Sequence, residues 1–266
     1  MLRFFRTLRR KLLEEGRVRT YFWYAIGEVF LVVIGILIAL QVNNWNQNRI
    51  DKNAAVDFEA RLLEDIYEEK ALLESVSKYQ STVKKYALYA MEVLESGELN
   101  DNDGSDFLIS LYQASQLQYP TTATSTYQEL LSAGKIGIIA DDSLRSGIIT
   151  YYNYDWVNSA IFVDVIPYRE NIRNLIPNSI QSSIREECGD IYTKVRKSLQ
   201  VQLPDNCELT FDEALTRQTV TEILANESIT KDLRFKIATL DSRLRVMSNY
   251  QNELDSIIRQ FTEGDD

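Results

Sequence analysis

The stretch ILIALQVNNWNQNRIDKNAAVDFEARLLEDIYEEKALLESVSKYQSTVKKYALYAMEVLES, Ile36 to Ser96, contains neither glycine nor proline. These are the two residues that most disfavour a helix interior, so their absence over such a length predicts one long helix. Within it Leu62, Ile66, Glu69, Leu73, Val76, Gln80, Val83, Ala87, Ala90 and Leu94 keep an approximate heptad rhythm, which gives the helix one seam for a partner. Its weak point is Asn43–Asn48, four asparagines in six residues, whose low helix propensity would fray or bend it.

The other end of the chain supplies a matching seam. Leu233, Ile237, Leu240, Leu244, Met247, Gln251, Leu254, Ile258 and Phe261 alternate spacings of four and three. An antiparallel pair within one chain is the preferred arrangement; a parallel pairing between chains would make a dimer stalk, and periodicity alone leaves both open. With 10 Gly and 4 Pro in 266 residues, the composition favours an all-α fold. Between the two long helices, DNDGSD (Asp101–Asp106) supplies a loop and N-cap for a helix reaching about Gln118. Thr126 and Glu129 have capping-box spacing for a short helix ending at Gly134. Asp141 or Asp142 caps a long helix carrying Leu144, Ile148, Tyr152, Trp156, Ala160 and Val163, which Pro167 should kink or end. A further helix containing Cys188 is expected between Pro177 and Pro204, and another over Phe211–Ala225.

Working back from Ile36, the run Tyr21–Val42 has Glu28 as its single formal charge. Its 22 residues would span about 33 Å as a helix, enough for a hydrocarbon core of about 30 Å. A transmembrane helix is therefore expected, uncleaved because no small-x-small pattern precedes VNNWNQ. Residues 1–20 hold seven basic residues against Glu14 and Glu15, a charge of +5, while everything beyond Val42 sums to -14. The positive-inside rule then places residues 1–20 in the cytoplasm as a basic segment and residues 43–266 outside it. Phe5, Leu8 and Leu12 stand at helical spacing among the arginines, so this leader is read either as an amphipathic helix on the inner leaflet or as a topology signal alone. The acidity of the outer domain repels phosphate backbones, which argues against nucleic acid as a partner.

Cys188 and Cys207 fit an oxidising compartment, where an even cysteine count favours a disulfide over two buried thiols. The absence of histidine removes the commonest general base, the commonest zinc ligand and every Ser-His or Cys-His pair.

RFFRTLRRKLLEEGR followed by YAIGEVFLVVIGILIALQVNNWN resembles the start of an uncharacterised family of single-pass membrane proteins of Gram-negative bacteria, a domain of unknown function. The likeness is specific over about residues 2–48 and looser around TYQELLSAGKIGII and SLRSGIITYYN. It implies an inner-membrane anchor with a helical periplasmic domain, and it carries no catalytic residues.

Three motifs invite a chemical reading. DNDGSD lacks the sixth-position glycine and the twelfth-position glutamate of a calcium loop, and AGKIG lacks the frame of a phosphate-binding loop. ITYYNYDW, Ile149–Trp156, is the densest aromatic cluster, and Tyr151, Tyr152, Tyr154 and Trp156 either pack a core or line a small-molecule pocket. They cannot all face one way, so at least one is expected at the surface. Glu28, Gly35 and Ala39 fall on one stripe of the membrane helix, where an acid and a small-xxx-small step suit a second helix or a homodimer contact, unless Glu28 merely snorkels. The expectation is a single-pass, membrane-anchored periplasmic helical protein with no cofactor or metal, acting by binding as adaptor, scaffold or sensing subunit rather than as an enzyme. A self-associating stalk, and less favourably a histidine-independent periplasmic enzyme, are the alternatives.

Overall fold

Val18–Ser96 form a single α-helix of 79 residues, α1, which passes through Asn43–Asn48 without a break. The computed structural model describes residues 18–99, 103–163 and 167–263, and the expected amphipathic leader lies outside them. Among the described residues, α1 is the one helix long and apolar enough to cross a membrane. The chain divides into two compact units, Met1–Asp57 and Phe58–Asp266. In the first, the apolar side chains point outward: Phe22, Leu31 and Val42 are each 60% exposed or more.

The second unit is a helical bundle. After α1 come α2 (Gly104–Ala114), α3 (Ser125–Ser132), α4 (Asp142–Asn153), α5 (Ala160–Val163), α6 (Tyr168–Leu175) and α7 (Asn178–Cys188). An antiparallel hairpin, β1 (Ile191–Val195) and β2 (Ser198–Gln202), precedes α8 (Glu213–Leu224) and α9 (Glu227–Glu263). In α1 the expected seam is the buried face: from Leu62 to Ala90 every member is buried, and Leu94 packs against the core. It meets α2 through Phe107 and Leu111, α6 through Tyr168 and Ile172, and α9 through Leu233 and Leu240 in one apolar cluster.

The two long helices pair within the chain and antiparallel. Lys70 pairs with Asp255 at 2.5 Å, Lys84 with Asp241 at 2.5 Å and Glu95 with Arg234 at 2.9 Å, so ascending positions on α1 meet descending positions on α9. The seam of α9 is rotated from the expected one. Ile229, Leu233, Lys236, Leu240, Arg243, Met247, Leu254 and Ile257 are buried, while Ile237, Leu244 and Ile258 flank them half-buried. Lys236 and Arg243 are tolerated at its centre because carbonyls receive them: Lys236 Nζ donates to Gln116 O at 3.2 Å, and Arg243 donates to Ile161 O at 2.6 Å and Phe162 O at 3.0 Å. Gln116 follows the C-terminus of α2, where the helix dipole favours cations.

Local signals held at several boundaries. Asp141 caps α4 by accepting from Leu144 N, and Gly134 ends α3 with φ of 65°; Asp212, not singled out in the sequence, caps α8 by accepting from Leu215 N. Three expectations are corrected. The helix begun at Asp141 stops at Asn153, with Trp156 in a short 3-10 turn, and Pro167 stands at the start of α6. α2 ends at Ala114 rather than Gln118. The helix containing Cys188 ends at that residue, and residues 191–195 and 198–202 form strands.

The hairpin is tied to α1 by Ser75 Oγ donating to Val201 O at 3.3 Å and Tyr79 Oη donating to Asp190 at 2.8 Å. Cys188 and Cys207 are disulfide-bonded, with Cα atoms 5.7 Å apart, and close the loop that carries the hairpin. A loop of this size is worth about 3 kcal/mol in the chain-entropy picture.

Candidate ligand pocket over two buried carboxylates

Asp65 and Glu69 stand four residues apart on α1, which places both on one face of the helix. Their residues are only 8% and 0% exposed. Asp65 Oδ2 accepts from Ser125 Oγ and from the Thr126 backbone N–H, both at 2.8 Å, and so caps the first turn of α3 from another helix. The capping box read from Thr126 and Glu129 is not formed; Glu129 pairs with Arg61 of α1 instead.

Glu69 Oε1 accepts from Tyr151 Oη of α4 at 2.6 Å, and Oε2 accepts from the Ala123 backbone N–H at 3.1 Å. Burial pushes the Glu69 carboxyl up to about 7, against the hydrogen bonds from Tyr151, Ala123 and Tyr152 that favour its charged form; the neighbouring Asp65 raises it further. The same surroundings hold the Tyr151 and Tyr152 hydroxyls well above the usual phenol range, first by burial and then by the charge of Glu69. The site is therefore a carboxyl held well above the usual carboxylate range beside two neutral phenols.

Above it the aromatic side chains form a connected group. Tyr152 stacks on Tyr127 with ring centres 4.7 Å apart and meets Tyr151 edge to face at 5.0 Å. Trp156 and Tyr154 each lie nearly parallel to Tyr250 of α9, at 4.3 Å and 6.5 Å. Between these rings and the loop before α3 is a pocket of about 230 Å³, lined by Tyr151, Tyr152, Tyr154, Asp155 and Trp156 on one side and by Thr122, Thr124 and Gln128 on the other. All four aromatic residues singled out in ITYYNYDW reach it. Tyr151 and Trp156 do so as buried residues, whereas Tyr154 is 62% exposed, the surface member that their spacing requires.

A model of the family of unknown function DUF6090 matches residues 28–167, slightly more than half of the 266-residue chain. The chain belongs to this family. No curated protein and no solved structure matches it. The DUF6090 segment contains Glu28, Gly35 and Ala39, both buried carboxylates and every lining residue of the pocket. Cys188, Cys207 and α9 lie outside it.

The remaining sequence-predicted positions are in the first unit. Glu28, Gly35 and Ala39 sit on α1, Glu28 half-buried and the other two exposed, and a Cβ on Gly35 would meet nothing within 4 Å. Sequence reasoning placed Glu69 on the α1 seam without assigning it a role, and it passed over Asp65, Tyr127 and Tyr250. The available signal was an acid at a seam position between Ile66 and Leu73. Such a residue must be satisfied by something opposite it.

Proposed function

We propose that the chain is a single-pass membrane protein anchored by residues 21–42, with its N-terminus in the cytoplasm and its helical domain outside, acting as a ligand-sensing or adaptor subunit of a membrane complex. The observation that carries this reading is the aromatic pocket whose wall residue Tyr151 hydrogen-bonds to Glu69 of α1, the helix that also supplies the apolar segment. The outward-facing apolar side chains of the first unit, the basic residues before them and the Cys188–Cys207 disulfide support the anchor and its orientation. α9 buries its seam within its own chain, against α4, α5 and α6 as well as α1, which favours a subunit over a self-associating stalk.

A signal leaving such a protein passes through contacts in the bilayer, and the stripe of Glu28, Gly35 and Ala39 is the surface with the chemistry for them. Affinity purification in mild detergent, with mass spectrometry of what stays bound, tests this. Glu28→Gln, Gly35→Leu and Ala39→Leu should each reduce recovery of the partner while membrane insertion is unchanged. Full recovery with all three substitutions would remove the stripe as an interface.

A further inference from the structure

Resting on the binding role proposed above, we propose that the pocket between α4 and the loop before α3 takes a small organic cation, an amine or quaternary ammonium compound. The size sets the first limit. At about 230 Å³ it is smaller than the roughly 300–1,000 Å³ of sites for drug-sized ligands, so the occupant has few heavy atoms.

Charge sets the second. Among the described residues, Asp155 is the one acid lining the pocket, and no lysine or arginine lines it. Asp155 stands at the rim with Asn158 Nδ2 at 2.9 Å from each of its oxygens, which leaves acceptor capacity on both. Behind the wall, Asp65 and Glu69 accept from neutral donors: the Tyr151 and Tyr152 phenols, the Ser125 hydroxyl and two backbone N–H groups. Arg61, one turn before Asp65, is committed to Glu129. An anion entering here would meet carboxylates and no cation, whereas a cation would meet complementary charge.

The walls set the third. Tyr151, Tyr152, Tyr154 and Trp156 present aromatic surface to one small volume, and Tyr250 already occupies one side of Tyr154 and Trp156. Aromatic faces attract ammonium groups electrostatically, more strongly when desolvated. The Tyr151 hydroxyl donates to Glu69, which enriches its ring in electrons and strengthens that attraction. Thr122, Thr124 and Gln128 add hydrogen-bonding groups for a hydroxyl or N–H on the same ligand.

Isothermal titration of the full-length protein in detergent should show choline binding about tenfold or more tightly than its neutral isostere, in which a quaternary carbon replaces the nitrogen. Tyr154→Ala and Asp155→Asn, both at exposed positions and checked for an unchanged melting curve, should each weaken choline by about fivefold or more. Equal binding of choline and the isostere, or binding of a neutral sugar in their place, overturns the cation assignment and leaves the pocket as a binding site. Choline binding that neither variant weakens places the cation elsewhere and also overturns it. No heat with choline, tetramethylammonium, the isostere or the sugar overturns the pocket reading itself.

Discussion

The two parts of α1 are built from one helix and follow opposite rules. Before Asp57, Leu31 is 71% exposed and Leu37 58%; beyond it, Glu69 is fully buried and Asp65 nearly so. In the first unit apolar side chains stand exposed along the helix, as the proposed membrane span requires. In the second, burial is set by what stands opposite, and a carboxylate is accepted where a phenol and a backbone N–H meet it. The same aliphatic truncation should therefore have different consequences in the two parts. Leu73→Ala, at a position 1% exposed, should cost about 2–5 kcal/mol of domain stability. Leu37→Ala should leave the unfolding transition unchanged to within about 0.5 kcal/mol. Denaturant unfolding in detergent, followed by Trp156 fluorescence in a Trp23→Phe, Trp45→Phe background, reads both; equal losses would mean that the first unit unfolds with the second.

The buried carboxyl gives the second unit a pH dependence. Glu69 is pushed from 4.5 up to about 7, so between these values the folded chain keeps a proton that the unfolded chain has lost. Its contribution to stability is complete below about pH 4.5, declines as pH rises to about 7 and is level beyond, a loss of about 3 kcal/mol in all. Lys236 acts in the other direction. Burial, and then Arg243 and Arg169, bring it down to about 7, so its contribution rises with pH from about 7 to 10.5. Glu69→Gln, measured by chemical denaturation across this range, should flatten the lower arm and leave the upper one. Retention of the lower arm would show that another group carries it.

These buried polar groups mark where the sequence stopped being readable. The α1 seam was legible because its register is kept almost throughout by apolar residues, with Glu69 and Gln80 as the exceptions. The α9 seam was legible as a helix face but misaligned, because choosing apolar residues selects Ile237 and Leu244 over Lys236 and Arg243. What makes Lys236 and Arg243 acceptable inside is a set of carbonyls at Gln116, Ile161 and Phe162, about 80 to 120 residues away in sequence. The hairpin was hidden for a local reason. Its two-residue turn is Arg196–Lys197, with Arg196 at φ of 52° in a position where glycine or asparagine usually announces the bend. The aromatic pocket was half legible: composition located Tyr151, Tyr152, Tyr154 and Trp156, but Thr122, Thr124 and Gln128 carry no pattern that would place them opposite.

The smallest expected effect tests the pairing that defines the second unit. Lys84 and Asp241 approach to 2.5 Å with side chains 30% and 49% exposed, so solvent screens most of their attraction. A double-mutant cycle with Lys84→Ala and Asp241→Ala should give a coupling of about 0.2–1 kcal/mol that shrinks with added salt. Exchanging the charges, Lys84→Asp with Asp241→Lys, should recover most of the stability lost in either single reversal. The value of so weak a pair is geometric: with Lys70–Asp255 and Glu95–Arg234 it penalises a register in which α9 slides along α1 and brings like charges together. Coupling that appears only at high protein concentration would mean that the two residues meet between chains, and the parallel stalk would then replace the antiparallel pair.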